Sequence, residues 1–281
     1  MTNDVSELRP RMMSVAYRML GSVADAEDAV QDAFVRYHTA DGVSSPEGFL
    51  VRTTTRICID RLRERRRKEY VGPWVPEPIE TRAENRDAVF AESLTQAFLL
   101  LLERLSPDER AAFLLRTVFD YEYVEIGEVL GKNEPAVRQL VSRARGRLGL
   151  DGDRRFPATP VRADGLAERF VAACRVGDVK AVEAMLAEDA ELHSDGGGKV
   201  SAARVVIRGR DKTARFLAGV FRKRWYQDMG MATVNGEPGL VFRFGGAVVS
   251  VLSLQIEGDV RAVYITVNPD KLARWAAAEV E

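Results

Sequence analysis

The chain has 281 residues, 46% hydrophobic and 30% charged, with a formal net charge of −1. That length predicts two or three soluble domains, and near neutrality excludes binding to nucleic acid through overall charge. The longest wholly apolar stretches, such as Ala97–Leu102, are too short to span a membrane, the N-terminus lacks a secretory layout, and two distant cysteines, Cys58 and Cys174, support neither a disulfide framework nor a zinc site, so the expectation is a cytoplasmic protein without metal, cofactor or membrane partner.

Residues 5 to 68 predict helix throughout. Ser22 is a plausible N-cap for a helix over Val23–His38, with Ala26, Val30, Ala33, Phe34 and Tyr37 as its apolar stripe. Asp25, Asp28 and Asp32 share another face, at i, i+3 and i+7. They are either solvated or an acidic docking face for a basic partner. A polar loop, Thr39–Pro46, precedes a long helix starting at Pro46. Residues 50 to 68 hold eight basic side chains, including Arg52, Arg56, Arg63, Arg66, Arg67 and Lys68, against two acidic ones. Such a local basic stretch suits phosphates, and equally suits a solvated helix end.

Next comes Tyr70-Val71-Gly72-Pro73-Trp74-Val75-Pro76-Glu77-Pro78. Three prolines in six residues forbid a continuing helix and favour extended chain. Tyr70 and Trp74 are expected either to dock on another part of the protein or to pack locally against the nearest helix.

Leu94–Leu105 is amphipathic. Ser106-Pro107-Asp108-Glu109 is a helix start with Ser as N-cap and Glu closing a capping box. Two short helices follow, about Val124–Leu130 and Glu134–Leu148, separated by Gly131. Val137, Leu140, Val141 and Ala144 line one face of the second. Arg138, Ser142, Arg143, Arg145 and Arg147 lie off that stripe. This is the layout of a helix-turn-helix with an arginine-bearing recognition helix; a helical hairpin with solvated arginines has the same local pattern.

After Leu148, Asp151–Pro160 reads as a polar connection. Helices are expected at about Asp164–Val176, Val179–Ala187 and Lys212–Phe221. Strands are expected at Ala190–His193, Arg204–Ile207, Gly239–Phe244, Ala247–Gln255 and Val260–Val267. Gly196-Gly197-Gly198 and Gly245-Gly246 mark turns, and Asn268-Pro269-Asp270 ends a strand and caps a further helix. The sum is an α+β domain.

Three groups of residues carry a family resemblance. Ala16-Tyr17-Arg18-Met19-Leu20-Gly21-Ser22 with Asp25-Ala26-Glu27-Asp28-Ala29-Val30-Gln31-Asp32-Ala33-Phe34 resembles region 2 of extracytoplasmic-function sigma factors, of the sigma-70 family. Residues 94 to 148 resemble region 4. The last block resembles a SnoaL-like domain, in the subgroup marked by W-L-P-E-P, D-G-G-G-K and N-P-D-K-L. Here these stand as Trp74-Val75-Pro76-Glu77-Pro78, Asp195-Gly196-Gly197-Gly198-Lys199 and Asn268-Pro269-Asp270-Lys271-Leu272. The implied organisation is multidomain: two all-α sigma domains at 1–68 and 89–150, a Pro-rich linker at 69–88, and an α+β SnoaL-like cone at 161–281.

The resemblance implies an alternative sigma factor rather than an enzyme, with core RNA polymerase and promoter DNA as partners. Asp25, Asp28 and Asp32 would meet the β′ clamp, and region 4 would bind the β flap. Arg52, Arg56 and Arg63 would line the melted −10 strand, with the Thr39–Pro46 loop between Tyr37 and Phe49 holding a flipped base. Arg138, Ser142, Arg143 and Arg145 would contact the −35 duplex. Tyr70, Trp74 and Pro76 are expected to dock between Asp195, Gly196, Gly197, Gly198, Lys199 and Asn268, Pro269, Asp270, Lys271. The extension would then regulate in cis, with a small ligand or a regulatory protein as its input. SnoaL-like domains include enzymes, for which His193, Asp195, Asp211 and Tyr264 would be the acid/base candidates. A polymerase-independent helix-turn-helix repressor is the remaining alternative.

Overall fold

The computed structural model describes residues 5–65, 70–81, 94–150, 165–223 and 225–277. Arg66, Arg67 and Lys68, linker residues 69 and 82–88, and the 151–160 connection lie outside the described residues. The chain forms two compact units. One comprises residues 1–69, 87–93 and 98–156; the other comprises residues 70–86, 94–97 and 157–281. The Pro-rich segment thus clusters with the C-terminal α+β part.

In the first unit, after a 3₁₀ turn at Val5–Leu8, α1 (Arg9–Leu20), α2 (Val23–His38) and α3 (Pro46–Arg65) pack mutually. Gly21, at φ 64°, ends α1, and Ser22 caps α2 by accepting the Asp25 amide at 3.3 Å. Their core holds Met12, Val15, Ala16 and Met19 with Ala26, Ala29, Val30 and Ala33, all buried. Phe34 and Tyr37, expected on that stripe, are only half-buried. Then follow α4 (Gln96–Leu102), whose first two residues cluster with the second unit, α5 (Pro107–Thr117), α6 (Tyr123–Leu130) and α7 (Glu134–Arg147). The capping box closes as expected, with Ser106 accepting from the Glu109 amide at 3.3 Å and donating its own amide to Glu109 at 2.9 Å. Gly131, at φ 65°, ends α6, and Asn133 caps α7 through the Ala136 amide at 3.0 Å. A Cβ at Gly127 would meet the Lys132 carbonyl at 2.6 Å, so the tight turn needs glycine there. The buried stripe of α7 is Val137, Leu140, Val141 and Ala144.

In the second unit, α8 (Leu166–Val176) and α9 (Val179–Met185) lead into β1 (Leu186–Asp195). Then come β2 (Ile207–Arg208), α10 (Arg210–Arg222), β3 (Asp228–Val234), β4 (Glu237–Phe244), β5 (Ala247–Glu257), β6 (Asp259–Thr266) and α11 (Pro269–Ala277). The sheet order is β2-β1-β6-β5-β4-β3, with β1 and β6 parallel and the other neighbours antiparallel. Three sequence expectations change here. Leu186 and Ala187, expected in the helix, begin β1, where both join the sheet core; and β3, whose residues before Val234 are exposed or half-buried, lacks an alternation that marks it as a strand. Of the strand expected at Arg204–Ile207, only Ile207 pairs.

Strand alternation sends side chains to two faces. Leu192, Leu240, Phe242, Leu252, Leu254, Val263 and Ile265 face the core built with α8, α9 and α10. A smaller core on the strands nearer β3 joins Val234, Val241, Val248 and Val251 to Leu272 and Trp275 of α11.

Candidate functional site

The first unit brings the two groups of arginines into view. Arg52, Arg56 and Arg63 are exposed along α3. Only Arg52 matches the picture of a free strand-facing side chain, since no ion pair is recorded for it among the described residues. Arg56 donates Nε to the Val129 carbonyl at 2.9 Å, at the C-terminal end of α6, where the helix dipole favours a cation. Its Nη2 lies 3.7 Å from where a Cβ of Gly131 would stand, so it sits on the helix-turn-helix turn itself. Arg63 pairs with Asp108 of α5 at 2.9 Å, an acid it shares with Lys132 at 3.4 Å. Arg110 of α5 donates to the Met19 carbonyl of α1 at 2.6 Å. Residues expected to reach melted DNA therefore hold the two helical groups against each other. Arg18, fully buried in α1, is pulled down to about 10 by burial and stacks 5.6 Å from the Phe119 ring.

Asp25, Asp28 and Asp32 of the acidic face are all exposed, and Asp32 also pairs with Arg61 at 3.0 Å. Tyr37 and Phe49, flanking the Thr39–Pro46 loop, pack edge-on at 5.9 Å and are both half-buried. On α7, Arg138, Ser142 and Arg143 are exposed and Arg145 is half-buried. Arg147 reaches Glu109 of α5 at 3.2 Å. Burial alone would raise the Glu109 carboxyl, but its bonds to Ser106 and the charges of Arg147 and Arg143 outweigh that and hold it below the usual range.

The second unit has a buried centre at Asp195. Its carboxylate is 0% exposed and accepts four bonds. Oδ1 takes the Tyr70 hydroxyl at 2.6 Å and the Gly197 amide at 2.9 Å; Oδ2 takes the Val75 amide at 2.9 Å and the Lys271 ammonium at 2.7 Å. That fills the four lone-pair positions of a carboxylate. Lys271 also donates to the Val75 carbonyl and lies over the Trp74 ring at 4.5 Å. Gly197 and Gly198 have φ of 59° and 72°. A Cβ on Gly197 would meet Asn268 at 2.3 Å, and one on Gly198 would meet Val71 at 3.2 Å. Lys199 pairs with Asp270 at 2.6 Å, and Asn268 caps α11 through the Asp270 amide at 3.1 Å. The three motifs of the sequence, dispersed over two hundred residues, meet at one point.

Within the Pro-rich segment, burial is deepest at Val75, Pro76, Glu77 and Pro78, while Trp74 is half-buried. Several partners were not foreseen. Trp275 donates its indole N–H to Pro78 at 2.9 Å, and Gln96 bridges the Pro76 carbonyl (2.9 Å) and the Ser253 hydroxyl (2.6 Å). Asn235, at φ 53°, clips Ile79 by two bonds of 3.0 and 2.8 Å and reaches the Leu94 carbonyl at 2.9 Å. The Asn235-Gly236 dipeptide is a hairpin signal visible in sequence; its second role as a clip is not.

The acid/base candidates do not share the apolar interior. His193, Asp195 and Tyr264 alternate with Leu192, Val263 and Ile265, and so stand on the opposite face from the helix-covered core. His193 lies 3.0 Å from Glu191, and burial, outweighing that carboxylate, lowers its pKa. Burial raises the Tyr264 phenol. Asp211 is on α10, paired with Arg215 at 2.6 Å. An open cleft lies at the glycine turn, lined by Val71, Gly72, Ser194, Lys199 and Arg204 among others.

Family models agree with this layout. "Sigma-70 region 2" matches residues 5–68 and "Sigma-70, region 4" matches residues 95–148. Over 95% of its length the chain is 36% identical to the ECF RNA polymerase sigma factor SigJ of Mycobacterium tuberculosis, covering 93% of that protein. The chain belongs to the extracytoplasmic-function sigma factors of the sigma-70 family. It is also 27% identical to the "Probable ECF RNA polymerase sigma factor SigI" of the same species, over 94% of this chain and 92% of that one. The crystal structure of M. tuberculosis SigJ matches with a TM-score of 0.79 at 33% identity, covering 96% of this sigma factor and 98% of that chain. A sigma factor directs RNA polymerase to promoters and opens transcription there; regions 2 and 4 of this one supply that function. No helix among the described residues is long and apolar enough to cross a membrane.

Proposed function

We propose that this sigma factor is regulated in cis by its own C-terminal unit, which works as a seat for the linker and not as an enzyme. The observation that carries the reading is Asp195: its four acceptor positions are occupied by the linker, the glycine turn and Lys271. A carboxylate so engaged has no lone pair left for acid/base work. Residues 70–81, part of the linker between regions 2 and 4, are held on the C-terminal unit. The reach between the −10 and −35 readers is thereby restricted.

In this reading Asp25, Asp28 and Asp32 meet the β′ clamp, and region 4 meets the β flap and the −35 duplex. Arg52 is ready for the −10 strand. Arg56 and Arg63 join it only after region 2 leaves region 4, because their present partners are Val129 and Asp108. Polymerase, by binding both regions, supplies the free energy for that separation. The protein works in the cytoplasm, where polymerase is.

The test is run-off transcription with core polymerase and full-length protein, comparing wild type with Asp195→Asn. Wild type should initiate at specific promoters. Asp195→Asn should change the yield at those promoters while leaving the start sites unchanged. Unchanged yield, with hydrogen exchange showing a released Val75 amide, would overturn cis regulation.

A further inference from the structure

We infer that Arg138 reads a guanine in the −35 duplex and that Tyr123 and Glu134 are the positioning residues that set its pose. This rests on the reading of α7 as the −35 helix and names the base class and the supporting side chains. Arg138 stands in the second turn of α7, the part of a recognition helix that enters the major groove. Its Nε and Nη2 both donate to Glu134 Oε1, at 2.9 and 2.5 Å, one turn earlier on the same helix. Its guanidinium lies 4.1 Å from the centre of the Tyr123 ring, the first residue of α6. The same ring lies 4.9 Å from the guanidinium of Arg116, which is itself tied to the Tyr121 carbonyl at 3.0 Å and to Glu122 at 3.1 Å.

This arrangement occupies one edge of the Arg138 fork and leaves the other. With Nε and one side of Nη2 turned to Glu134, the end-on pair, Nη1 and the outer N–H of Nη2, stays available. Two parallel donors match guanine O6 and N7 in the major groove, whereas adenine offers a donor at N6 and repels the same fork. A free arginine loses much side-chain freedom on binding; one already stacked and buttressed loses less. Tyr123 and Glu134 touch no base in this scheme. They act through Arg138.

The test uses full-length protein with core polymerase and a barcoded library in which the −35 and −10 segments are both randomised, scored by sequencing run-off RNA. Wild type should prefer guanine at one −35 position, and Arg138→Ala should erase that preference by about 10- to 100-fold. Tyr123→Leu and Glu134→Gln should weaken the preference at the same position by roughly 3- to 10-fold and leave the other positions alone. Tyr123→Phe, which keeps the ring, should retain it. An equal loss over all −35 sequences in Arg138→Ala would make Arg138 a phosphate contact and overturn the proposal. So would an intact preference in both Glu134→Gln and a Tyr123→Leu protein that melts like wild type. Should Tyr123→Leu melt early, the exposed Glu134→Gln decides alone. Selection at −10 with none at −35 in wild type would instead bring down the reading of α7 itself.

Discussion

The two units each hold a polar assembly that joins distant parts of the chain, and the ion pairs of the two assemblies differ in how far they are buried. In the first unit, region 2 meets region 4 through the buried Arg110, which donates to the Met19 carbonyl at 2.6 Å, and through an exposed ion pair in which Arg63 keeps 55% of its side chain in solvent and its partner Asp108 keeps 25%. Such pairs are worth little and are screened by salt. In the second unit the linker is held by a carboxylate with no exposure and a lysine at 9%. Breaking one partner there strands a buried charge.

The comparison can be broken most severely at Asp195. Asp195→Asn should cost the second unit about 3–5 kcal/mol, because Lys271 loses its counter-charge; denaturant unfolding of the full chain measures this. A smaller effect is expected at Glu237. Burial, with the nearby Glu257 charge adding, pushes its carboxyl up to about 8. The folded state therefore keeps a proton that the unfolded chain releases above about 4.5. Its stability contribution is complete below that pH and is lost as pH rises through about 8. Glu237→Gln should flatten this slope and raise stability at pH 8 by a few kcal/mol, read from unfolding midpoints between pH 5 and 9. Next comes Gly197→Ala, which places a Cβ against Asn268 at a φ of 59° and should cost about 1–3 kcal/mol in a thermal melt. Least is expected of the first unit: a double-mutant cycle on Arg63 and Asp108 should give a coupling below about 1 kcal/mol, vanishing by about 0.5 M salt. A large, salt-resistant coupling would erase the contrast between the units.

Much of the helical half was legible in sequence, for local reasons. The capping box at Ser106–Glu109, the Gly131 turn and the buried stripe of α7 depend on residues a few positions apart. The glycine turn and the cap at Asn268 were legible on the same grounds. Other features were not. Arg56 and Arg63 read as strand-facing from their spacing on α3, since spacing says which side a residue occupies and not what is packed there. His193, Asp195 and Tyr264 are, with Asp211, the acid/base candidates that an apolar cone would need, and strand register puts these three on the face away from the apolar core. Asn235, Gln96 and Trp275 carry no local mark of contact with the linker, because their partners lie between 20 and 197 positions away.

By itself, the sequence determined the family, the order of its parts, the helix boundaries set by caps and glycines, and the motifs that would meet. Those follow from short-range periodicity, backbone preference and residue identity. Only the tertiary structure decided that one carboxylate gathers all three motifs, that Arg56 and Arg63 contact Val129 and Asp108 of region 4, and which sheet face each polar residue takes. These depend on strand register and chain crossing, where a shift of one residue reverses every side chain.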